Sequence, residues 1–170
     1  MAVSINGTTN VITPTSAVQP TGSVLQVVSA TKTDTASTTS TSFADTGLQV
    51  QITPSATSSK ILLLSSFGAG ISNTGYHTHF RIDGTTTTSV GDAGGSAIQG
   101  GMSTKCNSAA GVEAVSFNFL DSPDSTSQQT YKLQYKTTDG GVTVYIGRSH
   151  TQDGNTSNVI STLTAMEIAG

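Results

Sequence analysis

Short runs in which apolar and polar residues alternate recur along most of this chain, and successive residues of a β-strand point to opposite faces of a sheet. Tyr76, Thr78, Phe80 and Ile82 fall on one face of such a run, with His77, His79 and Arg81 on the other. The same period of two gathers Val115, Phe117 and Phe119 against Ser116 and Asn118. It also sets Tyr131, Leu133 and Tyr135 against Lys132, Gln134 and Lys136. Each of these strands has one core face and one wet or polar contact face. Lys60–Phe67 departs from the pattern, because Ile61 and Leu63 face one way while Leu62 and Leu64 face the other. A strand apolar on both sides belongs in the middle of a sheet, with something covering its second face.

No apolar i, i+3, i+4, i+7 pattern persists for three turns, and Gly, Ser, Thr or Asn interrupt nearly every window that could be helical. Strands are predicted near Val24–Thr31, Leu48–Thr53, Lys60–Phe67, Tyr76–Asp83, Ser96–Met102, Val112–Leu120, Thr130–Thr137, Val142–Gly147 and Ser157–Ile168. That is enough for an all-β chain of two packed antiparallel sheets. Turn residues that tolerate φ > 0 separate several of the runs: Asp83-Gly84, Asp139-Gly140-Gly141 and Asp153-Gly154-Asn155. The Asp139–Gly141 turn predicts a hairpin in which Tyr131–Lys136 and Val142–Gly147 pair antiparallel. Gly84–Gly111 is rich in Gly and Ser, with Ile98 and Met102 as its large apolar residues, and reads as a long connection carrying one weak strand. Residues 1–22 hold isolated aliphatics too few to build a core. They form either a frayed terminus or an extended arm that docks on a neighbouring protein through Val3, Ile5, Val11, Ile12 and Pro14. The sandwich domain is expected over 23–170.

Composition narrows the function classes. Of 170 residues, 34% are hydrophobic and 10% charged, against about a quarter charged in an average soluble protein. Roughly a third of the chain is Ser plus Thr, so the polar surface is built from hydroxyls rather than ions. Five Lys and two Arg spread singly among ten acids, for a net charge of −3, leave no basic patch to neutralise phosphates, and no nucleic-acid partner is expected. The longest apolar run, Ile61–Leu64, falls far short of the roughly 20 residues that span a bilayer, so no membrane partner is expected either. The first residues lack the charged and apolar regions of a secretory signal, which points to folding in a cytoplasm.

Candidate chemistry is sparse. His77 and His79 project from one strand face about 6.5–7 Å apart, close enough for two imidazoles to share an ion, but no Asp, Glu or Cys stands at a neighbouring strand-spaced position. Two exposed polar residues on a wet face explain the pair as well. In a three-fold assembly they could instead form an axial polar cluster. The lone Cys106 has no disulfide or zinc partner. No Gly-X-Ser-X-Gly elbow is present, Glu113 and Glu167 both lie on predicted strands, and the aspartates gather at turns, where Asp commonly sits. Asn6-Gly7-Thr8 and Asn155-Thr156-Ser157 match the glycosylation sequon by chance in a chain without a secretory signal. The expectation is a non-enzymatic protein with no metal and no cofactor.

Three stretches carry a resemblance: Gly22–Val28, Thr38–Leu48 and Ile52–Leu63, the last reading Ile-Thr-Pro-Ser-Ala-Thr-Ser-Ser-Lys-Ile-Leu-Leu. Together with the closing Val159–Ile168 they resemble small virion proteins of tailed bacteriophages, especially those of marine and cyanobacterial hosts, over about residues 22–169. The resemblance implies an antiparallel two-sheet jelly roll like that of the tumour necrosis factor and complement globular-head families, assembled as a homotrimer and displayed on the virion surface after assembly in the host bacterial cytoplasm. On that footing Leu62, Leu64, Tyr131, Leu133 and Tyr135 are candidates for trimer interface or core. The expected role is a capsid decoration or cement protein whose arm grips the major capsid protein. The alternative is a tail-fibre or receptor-binding tip that recognises a host surface polysaccharide.

Overall fold

The computed structural model describes residues 19–170. Among them there is no helix and there are ten strands: β1 (Val24–Lys32), β2 (Ala36–Thr38), β3 (Ala44–Ile52), β4 (Lys60–Ile71), β5 (Thr78–Gly84), β6 (Met102–Thr104), β7 (Glu113–Asp121), β8 (Gln129–Thr137), β9 (Val144–Ile146) and β10 (Ser161–Ile168). They form two antiparallel sheets. In sheet I, β4 is central. β7 runs along one edge of it, and β10 followed by β9 runs along the other, since Ala69 pairs with Glu113 of β7 on one side and Ile146 of β9 on the other. β1 and β2 complete the sheet by pairing with β10 and β9. Sheet II has the order β3-β8-β5-β6.

The pairings are nested. β5 pairs with β6, β4 with β7, β3 with β8 and β1 with β10, so the chain folds back on itself about the Gly84–Gly101 bend as one long, wound hairpin. Consecutive long strands alternate between sheets, and each turn of the winding therefore places one face of each sheet against the other.

Between the sheets lies a core to which both contribute. Leu48, Val50 and Ile52 of β3, Phe80 and Ile82 of β5, and Tyr131, Leu133 and Tyr135 of β8 meet Ile61, Leu63 and Phe67 of β4, Val115 of β7 and Leu163 of β10. Phe67 packs edge-on against Phe80 across the sheets, with ring centroids 4.8 Å apart. Phe117 and Phe119 are half-buried and pack against this core, while Ser116 and Asn118 are exposed, as the alternation predicts. Tyr131, Leu133 and Tyr135 thus belong to the core of a single chain.

Three expectations change. β8 and β9 do not pair: β8 already has β3 on one edge and β5 on the other, and a strand has only two edges. The Asp139 turn forms, with Val142 N–H donating to the Asp139 carbonyl and Gly141 N–H to its side chain, but it carries the chain from sheet II to sheet I. The weak strand of the long connection lies at Met102–Thr104 rather than Ser96–Met102, because the Gly- and Ser-rich stretch before it makes only turns and bends. Finally, β2 joins the fold from a Ser- and Thr-rich segment with no apolar alternation to mark it.

The second face of β4 is covered along half its length by the chain itself. Gly68 and Gly70 are buried on that face. A Cβ on Gly68 would meet the side chains of Val159 and Val112, and one on Gly70 would meet the backbone at Arg148 and Ser149. The segment 147–159 can lie on the sheet there because the two glycines offer no side chain. Toward Lys60 the same face carries Leu62 and Leu64, and no segment among the described residues roofs it.

The arm candidates Val3, Ile5, Val11, Ile12 and Pro14 lie outside the described residues. From Pro20 onward the chain is already tied to the sandwich: Ser23 N–H donates to the Pro20 carbonyl, Gly22 N–H to the Ala169 carbonyl, and Ala169 N–H to the Ser23 carbonyl.

Candidate functional site

The two outer faces of the sandwich differ in chemistry. Register places Val27, Met166, Leu62 and Leu120 directly across four adjacent strands of sheet I, all on its outer face. Val27 is 54% exposed and Leu120 51%, with Leu64, 38% exposed, in the next row. Val24, also exposed, pairs with Ile168 at the end of the sheet and extends the strip. Beyond it the rows turn to hydroxyls. Ser29 and Thr164 hydrogen-bond each other at 2.8 Å, and Thr31, Thr162, Ser66 and Ser116 align in the row after. The result is a contiguous apolar strip beside rows of hydroxyls, to which the described residues bring no carboxylate and, at its margin, Lys60.

Where the 147–159 segment roofs the other half of that face, a cleft of about 480 Å³ opens between it and the sheet, lined by Ser66, Gly68, Val112, Ala114, Thr156 and Ile160 among others. Among the described residues neither a titratable side chain nor a cysteine lines it.

The outer face of sheet II carries a large share of the charge. Asp45 on β3 accepts from Lys132 Nζ at 2.9 Å and from Gln134 Nε2 at 2.6 Å, and Gln134 Oε1 accepts from Arg81 Nε at 2.8 Å. Hydrogen bonds from Gln134 and Lys132 hold the Asp45 carboxyl below the usual carboxylate range. Arg81 also reaches Asp83 at 3.6 Å and lies over the Phe43 ring, 4.3 Å from its centroid. His79 and the exposed His77 stack with ring centroids 6.4 Å apart. Burial, and then the charges of Lys136 and His77, hold the His79 imidazole below its ordinary value. The histidines therefore lie on sheet II, across the sandwich from Leu62 and Leu64, so an axis running through the apolar strip would leave them facing away from it.

Buried titratable groups elsewhere are absorbed by the fold. Glu167 is 1% exposed. It accepts from Ser55 N–H and Ser55 Oγ at 2.6 Å, from Ser59 Oγ at 2.7 Å and from Gln26 Nε2 at 2.6 Å, which ties the 53–59 connection to β1 and β10. Asp121 accepts from Tyr131 Oη at 2.6 Å inside the sandwich. Burial pushes the Cys106 thiol up to about 11, and its S–H donates to the Ala69 carbonyl, so it is an inert thiol at neutral pH. Among the described residues no group of three or more His, Cys, Asp and Glu is placed to hold a metal ion. The alternation signals the charged face of sheet II. The apolar strip required knowledge of which strands are neighbours, because its residues are spread over Val24–Ile168.

No family model matches this chain, and no curated protein matches it.

Proposed function

We propose that this chain is a structural protein of a virion, a jelly roll that assembles as a homotrimer on the outside of a bacteriophage capsid and decorates or cements the shell. The observation that carries the assembly is the row Val27–Met166–Leu62–Leu120, which none of the described residues covers. A contiguous apolar strip on a surface otherwise built of Ser and Thr marks an interaction site, and a closed set of identical copies is the commonest way to cover such a strip. Burying each of these side chains contributes on the order of 1–2 kcal/mol. The nested pairing of β1 with β10, β3 with β8, β4 with β7 and β5 with β6 supports the jelly-roll winding, a double sheet of eight principal strands. The virion setting rests on the resemblance of residues 22–169 to phage surface proteins, with the major capsid protein as the partner gripped by the N-terminal residues. Such a protein stabilises a shell by binding only its assembled form at several points at once.

The test has two parts. Light scattering at micromolar concentration should give three times the 17.3 kDa chain mass, and Leu62→Ser with Leu120→Ser should give a folded monomer. A wild-type monomer, or a trimer indifferent to both substitutions, overturns the assembly. Removal of residues 1–18, which spares the Gly22–Ala169 pairing, should leave a trimer that no longer binds empty capsids. Normal decoration by the truncated protein overturns the docking role.

A further inference from the structure

We infer that the cleft between the 147–159 segment and sheet I seats the chain's own N-terminal residues, with Val11 and Ile12 inside it. Ser23 N–H donates to the Pro20 carbonyl and Gly22 takes a φ of +87°, a β-turn that reverses the chain just before β1. The residues ahead of Pro20 are thereby sent back alongside β1, from its Val24 end toward its Thr31 end. Thr31 shares a row with Thr162 of β10 and Ser66 of β4, and Ser66 lines the cleft. From Ser23 to Thr31 the chain advances eight residues, about 26 Å along the sheet. Passing from β1 over β10 to β4 adds roughly 10 Å sideways, which makes a diagonal of about 28 Å, or about eight to nine residues of extended chain. Counted back from Pro20, that length ends at Val11 and Ile12, the one adjacent pair of branched aliphatic residues in the N-terminal segment.

Segment and cleft match in chemistry. The cleft is lined by neutral residues, and residues 2–18 carry no charged side chain. Its volume of about 480 Å³ lies within the range of about 300–1,000 Å³ that encloses a small molecule, room for two aliphatic side chains and their backbone. Ser66, Ala114, Ser157 and Ile160 of its lining are exposed, so an incoming chain can reach them. Ile160 offers an aliphatic surface, and the hydroxyls of Ser66, Thr156 and Ser157 can meet the amides of an extended segment. A foreign peptide would have to be supplied at its own concentration. A segment tethered this close is held at about 1 mM, so an intrinsic Kd of about 0.1 mM seats it in roughly nine molecules of ten. The diagonal crosses β1 and β10 and leaves Leu62 and Leu120 of the apolar strip to another copy. Docking on a capsid would then draw the segment out of the cleft, a consequence that rests on the capsid-decoration role, as the seat itself does not.

Hydrogen exchange of the full chain, read by mass spectrometry, tests this. Amides around Val11 and Ile12 should exchange about tenfold or more slower than those of an unstructured chain. Val11→Ser with Ile12→Ser should abolish that protection. So should Ala114→Trp, which fills the cleft from an exposed position and should melt near wild type. Exchange at unstructured rates in the wild type overturns the inference, as does protection that survives Ala114→Trp. Cross-linking reads the seat directly, whatever that substitution does to the fold. Under mild oxidation Ile12→Cys should form a disulfide with Ile160→Cys within one chain, about fivefold or more faster than with Thr31→Cys on β1, because the bond needs close approach of the two Cβ atoms. The native Cys106 is buried and does not compete. Preference for Thr31→Cys puts the segment along β1 and overturns the cleft, and dimers joined through Ile12→Cys put it on another copy and overturn seating within one chain. The Leu62→Ser, Leu120→Ser protein should keep the protection whether or not the wild type is a trimer, so the outcome is separable from that of the assembly model.

Discussion

At Glu167 a carboxylate lies out of water yet ionised, because three residues point donors at it. Burial alone would raise its affinity for protons, but the bonds from Ser55, Ser59 and Gln26 outweigh that and hold its pKa below the ordinary 4.5. A carboxyl whose pKa is lower folded than unfolded contributes stability above about pH 4.5, and that contribution fades as pH falls through the folded value. Glu167→Gln should therefore lower stability at neutral pH by about 1–3 kcal/mol, and the gap between it and wild type should shrink as the pH is taken down below 4.5, measured by urea unfolding. Tyr131 is the converse case. Burial first, and then the bond to Asp121, push its phenol far above its ordinary value, so it stays protonated and donating. Tyr131→Phe leaves Asp121 buried without that donor and should cost about 1–3 kcal/mol, with the sandwich otherwise intact by circular dichroism.

Among the elements, β4 decides most. Its inward residues Ile61, Leu63 and Phe67 build the core, and its outward residues change from Leu to Gly halfway along, which divides the outer face into an open half and a roofed half. Substituting Ala at Gly70 places a methyl against backbone at Arg148 and Ser149, so Gly70→Ala should lift the 147–159 segment and destabilise by about 1–3 kcal/mol. At Gly68 the obstacles are side chains. Gly68→Ala should be destabilising alone and partly rescued by Val159→Ala, a coupling that a double-mutant cycle in urea would read directly. The two-sided apolarity of Lys60–Phe67 made β4's central place legible in advance, and the alternation in β5, β7 and β8 identified their core faces. What period-two alternation cannot encode is which edge of a strand is occupied. That is why Tyr131–Lys136 and Val142–Gly147, flanking a good turn, looked like a hairpin although β8 already lies between β3 and β5. The apolar strip was only half visible for the same reason: Leu62 and Leu64 stood out, but Val27, Met166 and Leu120 join them only through the pairing of β1, β10 and β7.

For the whole molecule, the contrast between its two outer faces is the organising fact: sheet I presents aliphatic residues and hydroxyls, sheet II presents ions. If copies close over the aliphatic strip, folding and assembly are linked, and the melting temperature should rise with protein concentration, because any species that binds only the folded form shifts the equilibrium toward it. The Leu62→Ser, Leu120→Ser protein should melt at a temperature independent of concentration. A wild-type melting temperature that does not move across about a hundredfold range of concentration would count against a shared strip.

The nested winding also decides where the chain can be cut and rejoined. Because β1 and β10 are partners, the backbone at Gly22 lies within a hydrogen bond of Ala169, while the bend about which the winding turns lies in the middle of the sequence. Gly94 and Gly95 in that bend have open space where a side chain would be. A circular permutant that joins Gly170 to Gln19 through a short flexible linker and begins at Gly95 would keep every strand pairing and exchange one surface loop for another. Loop tips of this kind are where permutation is tolerated. The permuted protein should fold to the same sandwich with new termini at the former bend, as circular dichroism and urea unfolding would read, which turns that bend into a place where a second protein can be fused.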